Sequence, residues 1–209
     1  TKDRVAVLTG AGSGIGRALA NALARTGCNL ALADLNSDSL AETAAQARAL
    51  GVRVSEHPLD VSDRAAVAAL PAAVIAEHGN VDILINNAGV ALGGNFDEVS
   101  TENFDWLMSI NFDAVVTMCR AFLPLLKQRP EARIVNISSL FGLITPAGQT
   151  AYCASKFAVR GFSNALRLEL LDSNVGVTVV HPGGVATSIA TSARSSENVS
   201  EADKQKKLE

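Results

Sequence analysis

Tyr152 and Lys156 are the pair in this chain whose types and spacing speak most directly of chemistry. They stand four apart in a helical pattern, so they share one face about one turn apart. A free tyrosine titrates near 10. Acting as a proton acceptor at neutral pH requires about three units less, or about 4 kcal/mol of preference for the phenolate. A nearby ammonium is one source of that preference. A second constellation lies near the N-terminus, where Val5-Ala6-Val7-Leu8 breaks into Thr9-Gly10-Ala11-Gly12-Ser13-Gly14-Ile15-Gly16. A buried strand, a tight turn and a helix starting at once present bare N–H groups and the positive end of a dipole to phosphate oxygens. Glycine in such a turn keeps a Cβ from holding a pyrophosphate away. The spacing is T-G-x-x-x-G-x-G. It fits G-x-G-x-x-G in neither frame, and no Lys-Ser or Lys-Thr closes a phosphate loop. Taken singly, the tyrosine–lysine pair reads equally as a surface helix pair, and the turn as a flexible loop.

The elements that must position these residues alternate along the whole chain. Strand-like runs fall at residues 4–9, 29–34, 52–58, 81–86, 133–138 and 175–181, with helical patterns at 14–26, 37–50, 62–79, 100–128 and 150–173. Continuous β-branched runs such as Val177-Thr178-Val179-Val180 suit strands covered on both faces. The expected fold is α/β: a Rossmann-like, doubly wound parallel sheet with helices on both faces, in a single domain over 1–209. Pro71 should kink or split the third helix.

In such sheets ligands sit beyond the carboxyl ends of the strands. Asp34 ends the second strand, where a carboxylate accepts hydrogen bonds from an adenosine ribose and opposes a 2′-phosphate. One like-charge pair at 4 Å costs up to about 4 kcal/mol at an effective dielectric of 20. Leu35, Asn36 and Ser13 bring no compensating cation, so NAD is expected over NADP, with Arg17 the one nearby cation that could reverse this. Asp60 and Val61 follow the third strand, before a helix cap expected at Ser62; they either cap or flank an adenine ring. Asn86-Asn87-Ala88-Gly89 after the fourth strand is a turn, or a close approach of backbone to a ribose.

Composition narrows the classes. The 209 residues are 48% hydrophobic, enough for one well-buried core, and a net charge of −3 offers no footprint for nucleic acid. The apolar stretch 65–76 is too short for a bilayer, and no signal peptide is visible before the first strand. Cys28, Cys119 and Cys153 are odd in number and widely spaced, which fits reduced thiols in the cytoplasm. His57, His78 and His181 lack metal-ligand spacing, so no metal is expected.

Together the turn at residues 9–16, Asn86-Asn87-Ala88-Gly89 and Tyr152-Cys153-Ala154-Ser155-Lys156 resemble the short-chain dehydrogenase/reductase family of the classical type, over residues 4–189. The resemblance implies four catalytic residues: Asn111, Ser139, Tyr152 and Lys156. Tyr152 exchanges the proton, with Lys156 and a cationic nicotinamide jointly lowering its pKa. Ser139 holds the substrate oxygen, and Asn111, in the long fourth helical pattern where asparagine suggests a local irregularity, holds a water in a proton relay. Ser138 is adjacent and on the opposite strand face; Ser139 fits the family register. For the cofactor it implies Gly10, Ser13, Gly14, Ile15, Gly16, Asp34, Leu35, Asp60, Val61, Asn87, Ala88, Gly89, Tyr152, Lys156, Pro182, Gly183, Val185 and Thr187.

The implied function is an NAD-dependent oxidoreductase interconverting a secondary alcohol and a ketone or aldehyde. The alternatives are an NAD-binding scaffold or sensor without turnover, and an NADP-dependent carbonyl reductase. A small alcohol or carbonyl substrate and a homodimer or homotetramer are expected, with no nucleic-acid or membrane partner. Leu92, Gly93, Gly94, Leu140, Phe141 and Leu143 suggest a partly apolar pocket. The family continues through a substrate-covering region into a seventh strand, which is expected to be absent here. Residues 190–209, with a capping box at Ser200-Glu201-Ala202-Asp203, read as the start of that lid.

Overall fold

The computed structural model describes residues 1–185 and the backbone of 194–195. Six strands form one parallel sheet: β1 (Val5–Thr9), β2 (Asn29–Asp34), β3 (Val54–Pro58), β4 (Ile83–Asn86), β6 (Ala132–Ile137) and β7 (Val175–Val180). Their spatial order is β3-β2-β1-β4-β6-β7. The chain winds outward from β1 in one direction and then from β4 in the other. The switch between those neighbours opens a crevice beyond Thr9 and Asn86. A separate two-residue strand, β5 (Leu92–Gly93), pairs in parallel with β8 (Arg194–Ser195). Sequence periodicity cannot register so short a pairing.

Alternate strand residues feed two cores. Ala6, Leu8, Leu30, Leu32, Ile83 and Ile85 pack under α1 (Gly14–Arg25) and α2 (Ser37–Arg48), through Ala20, Ala24, Leu40 and Ala44. Val7, Ala31, Leu84, Ile134 and Val177 pack on the other face against α3 (Arg64–His78), α5 (Ala114–Leu126) and α6 (Thr150–Glu169). Leu8, Leu30 and Leu32 are fully buried, each contributing about 1.5–3 kcal/mol.

The helices depart from expectation in three places. Asp63, rather than Ser62, caps α3: its carboxylate accepts from the N–H groups of Ala65 and Ala66 at 2.9 and 3.1 Å, while Ser62 bonds back to Asp60. Pro71 does not split α3, which runs through it; the proline removes one intrahelical donor while tertiary packing of Val67, Leu70 and Val74 holds the rest. The fourth helical pattern is α4 (Thr101–Met108), a π-turn (Ser109–Asp113) and α5 in one continuous helix. That stretch, Thr101–Leu126, is long and apolar enough to cross a membrane, unlike 65–76, but its face bearing Val115, Met118, Phe122 and Leu126 lies in the core.

At the amino ends of the strands, buried Asp82 accepts from Val5 N–H at 2.8 Å and from Arg129 Nε at 2.7 Å. This ties β1, β4 and the end of α5 together, away from the crevice.

Candidate active site

The crevice is a cleft of about 340 Å³ at the β1/β4 switch point. On the α1 side, Gly10 turns with φ +65° and Gly14 with φ +50°, both in the region that favours glycine. The glycines are also required by the chain itself. A Cβ on Gly10 would meet Ala88 Cα at 2.8 Å, and one on Gly16 would collide with the Gly10 carbonyl. Thr9 Oγ1 accepts from Asn87 and Ala88 N–H at 3.0 and 3.1 Å, and Asn87 Nδ2 donates to the carbonyls of Thr9 and Gly10. The turn and the loop after β4 are thus one clipped unit. Ser13 stands at the N-cap of α1 without a capping side-chain bond, and no acid occupies the first turn. The exposed N–H groups there are open to an anion.

Asp34 lies in the cleft wall. Its Oδ2 accepts from Gly12 N–H at 2.8 Å and its Oδ1 from Asn36 N–H at 2.9 Å, leaving each oxygen a further lone pair. Arg17 is turned out of the cleft: its guanidinium pairs with Glu42 at 2.9 Å and donates to the Gly12 carbonyl at 2.6 Å. Leu35, Leu59, Asp60 and Val61 complete this end as an apolar slot with one carboxylate, whose Oδ1 is held by Ser62.

The opposite wall carries Ser139, Tyr152 and Lys156, with Asn87, Ala88, Gly89, Pro182, Gly183 and Val185 between the two ends. Ser138 lines the cleft beside Ser139, against the expectation that the strand pleat turns it away, and the two hydroxyls differ in their partners. Ser138 Oγ donates to the Lys156 carbonyl at 2.9 Å, and the Ser139 hydroxyl accepts from Phe141 N–H and interacts with Tyr152. A Cβ on Gly142 would collide with Ser138 Oγ, so glycine lets this turn lie against α6. His181 Nδ1 lies 3.0 Å from the Ser139 carbonyl, which only accepts, so that nitrogen carries the hydrogen.

Lys156 is buried, its Nζ donating to the Ile137 carbonyl at 3.1 Å and sitting 5.7 Å from the Tyr152 ring centre. Burial pulls its pKa from 10.5 down to about 8. Burial raises the Tyr152 pKa, against the opposing hydrogen bond with Ser139; the expected lowering needs Lys156 and a cationic nicotinamide together. The lysine's charge is bonded to a strand carbonyl and is itself disfavoured by burial.

Asn111 sits in the π-turn, the irregularity its position implied. Its side chain is committed: Oδ1 accepts from Val90 N–H at 2.8 Å, and Nδ2 donates to the Val90 carbonyl and to Ser155 Oγ. Neither amide proton is left for a water, and Asn111 lies behind the cleft wall. Ser155 Oγ in turn donates to the Tyr152 carbonyl. Thr187 and the 190–209 segment lie outside the described residues, apart from the backbone at 194–195. Val90, Ile110 and Ile137 also line the cleft, although their types gave no signal. Leu92 is buried with Leu107 and Ala151, and does not line the cleft. Among the described residues no group of three metal-ligating side chains occurs.

The uncapped helix start, the glycine turn and the carboxylate at the end of β2 fit a nicotinamide dinucleotide. Comparison with known proteins agrees. The short chain dehydrogenase family model matches residues 4–198. SadH of Mycobacterium tuberculosis is 50% identical over 194 residues, 92% of this chain and 70% of that protein. A short chain dehydrogenase/reductase from Burkholderia phymatum, solved in complex with NAD, superposes with a TM-score of 0.89 at 39% identity, over 96% of this chain and 72% of that one. A metagenomic short-chain oxidoreductase in complex with NADP superposes at 0.83 and 36% identity, over 88% and 84%. The chain belongs to the short-chain dehydrogenase/reductase family of oxidoreductases, built around a nicotinamide cofactor.

Proposed function

We propose that this chain uses NAD to interconvert a secondary alcohol and a ketone or aldehyde, with Tyr152 as the general acid/base. The observation that carries the reading is the convergence of Tyr152, Ser139 and Lys156 on the wall of one cleft opposite the glycine turn. In the oxidation direction Tyr152 takes the hydroxyl proton, and in reduction it returns it. Ser139, held extended at the head of its turn, donates to the substrate oxygen and keeps it within reach of the phenol. Lys156 supplies positive charge near the ring, and Asn111 and Ser155 hold the π-turn against α6 below Tyr152. A bound nicotinamide supplies the hydride acceptor or donor and, when oxidised, the further positive charge that a tyrosine raised by burial requires.

Gly10, Ser13, Gly14, Ile15 and Gly16 would hold the pyrophosphate, Asp34 the adenosine ribose, Leu35, Asp60 and Val61 the adenine, and Asn87, Ala88, Gly89, Pro182, Gly183 and Val185 the nicotinamide half. The preference for NAD rests on Asp34 together with the diversion of Arg17 to Glu42, which leaves the carboxylate without a cation to receive a 2′-phosphate. Parallel fluorescence titrations with NADH and NADPH test it: tighter NADH binding is expected, and a preference for NADPH refutes the choice of cofactor. Binding of NADH without turnover over a panel of secondary alcohols and ketones would favour a sensor instead.

We further propose self-association through α6, where exposed Ala154, Phe157, Gly161, Ala165 and Leu168 share one face with small residues that let another helix approach. Sedimentation as a single monomeric species would refute this. The buried thiols, with Cys28 and Cys119 pushed by burial up to about 11 and about 12, suit the cytoplasm.

A further inference from the structure

Gly12 does not line the cleft, yet the residue is gripped on both sides. Its N–H donates to Asp34 Oδ2 at 2.8 Å, and its carbonyl accepts from Arg17 Nη2 at 2.6 Å and Arg17 Nε at 3.0 Å. The guanidinium is itself seated in α2. It donates to Thr43 Oγ1 at 3.0 Å and to the Ser39 carbonyl at 3.2 Å, and pairs with Glu42 at 2.9 Å. Thr43 is fully buried and its hydroxyl also reaches the Gly12 carbonyl at 3.4 Å. Space behind the turn is closed: a Cβ on Gly12 would collide with Ser39 Oγ and come within 3.0 Å of Asp34 Oδ2.

We propose that Arg17 is a positioning residue for the cofactor turn. By fixing the Gly12 carbonyl against α2 it sets the turn that receives the pyrophosphate and, through the N–H of the same residue, the carboxylate of Asp34. This rests on the cofactor reading above and goes beyond it. The cation that follows the glycine turn acts through geometry, as a planar fork on one carbonyl, and not as a counter-charge. The two halves of the adenosine diphosphate site are therefore coupled, and a change at Asp34 meant to alter cofactor choice also loosens the turn.

NADH titration of the chain tests this without a substrate. Arg17→Gln is expected to raise the NADH Kd at least tenfold. Arg17→Lys keeps the charge but not the fork, and is expected to recover no more than about twofold of that loss, equally at about 50 and 500 mM salt. Asp34→Asn combined with Arg17→Gln should lose less than the product of the single effects, because each alone frees one side of the same residue, Gly12. Thr43→Val, which fills the same space and keeps Arg17, is expected to raise Kd about threefold and serves if Arg17→Gln does not fold. An Arg17→Gln or Thr43→Val Kd within twofold of the parent, even with a lowered melting temperature, overturns the proposal. So does full rescue by lysine, or strict additivity with Asp34→Asn. A parent chain that binds neither NADH nor NADPH would instead refute the cofactor reading itself.

Discussion

The two ends of the cleft are built from different materials. At the β1–β2 end the chain presents main chain: N–H groups of the turn, glycines that let strands and loops cross, and one carboxylate. Beneath it lies a core almost wholly of alanine, leucine and isoleucine. At the β4–β6 end it presents side chains, carried on buried polar residues: Asn86, Asn111, Asn136, Ser138, Ser155, Lys156 and Ser163. Asn86 Nδ2 donates to Asn136 Oδ1 at 2.8 Å, and Asn136 Nδ2 to Ser163 Oγ at 2.9 Å, linking β4, β6 and α6 through the core. Backbone recognition needs only a fold. Aiming a phenol, a hydroxyl and an ammonium at one point needs partners that resist rotation, and buried hydrogen bonds supply them.

The largest effects should fall on the side-chain end and spare the backbone end. Tyr152→Phe is expected to lower kcat by about a thousandfold or more, within the range of general acid–base catalysis and lost substrate contact, while the NADH Kd moves less than about threefold. Steady-state rates and fluorescence titration check this; retained turnover would break the comparison. Lys156→Met should also abolish most activity, with the opposite sign on stability. The ordinary lysine pKa is 10.5 and the folded value about 8, so the folded state resists the charge that the unfolded chain keeps. That penalty is full below about pH 8, is relieved as pH rises to about 10.5, and amounts to about 3 kcal/mol. Net of the bond to Ile137, the variant's melting temperature at pH 7 should rise by about 5 °C, a gain that vanishes near pH 10.

Next comes the polar scaffold. Asn136→Ala leaves Asn86 Nδ2 only the Cys119 sulfur at 3.4 Å and deprives Ser163 Oγ of its donor, and Asn86 Oδ1 already lacks a partner. Unfolding in urea should show a loss of about 2–4 kcal/mol. If instead the loss is under about 1 kcal/mol, the buried amides are not what holds this end rigid.

Legibility in the sequence follows the same division. The alternation of elements, the glycine turn, Asp34 and the Tyr152–Lys156 spacing are local patterns. What escaped depends on residues distant in sequence. Nothing near Arg17 announces that Glu42 and Thr43 will turn it away from the cleft, and nothing near Asn111 announces Val90 and Ser155. The upward Tyr152 shift escaped because spacing on one helix face says nothing of how deeply the ring is buried. Ser62 and Asp63 are both good caps, and only the path of the chain decides between them.

A second polar cluster at the β1–β2 end, apart from that of Arg17 and Thr43, gives the smallest test. On the edge strand β3, Ser55 Oγ lies 2.7 Å from His57 Nε2 and 2.8 Å from His78 Nε2. His78 is buried and its Nδ1 has no partner. The arrangement closes with both rings neutral: His78 Nε2–H donates to the hydroxyl, and the hydroxyl donates to His57 Nε2. A proton on His57 removes that acceptor, and one on His78 adds a buried donor with nowhere to go. Burial lowers both pKa values from 6.5; Arg53 and His57 lower His78 further, while Glu77 opposes the shift at each. The unfolded chain therefore binds these protons first. The cluster's contribution is complete above about pH 6.5 and is lost as pH falls toward the depressed folded values. Replacing both histidines with glutamine keeps an amide nitrogen or oxygen for the Ser55 hydroxyl and removes the titration. Melting temperatures from pH 7 to 5 should fall less steeply in that variant than in the parent, with NADH affinity at pH 7 unchanged. Equal slopes would mean that the histidines take up protons without strain, and that this cluster adds nothing to the stability of the β3 edge.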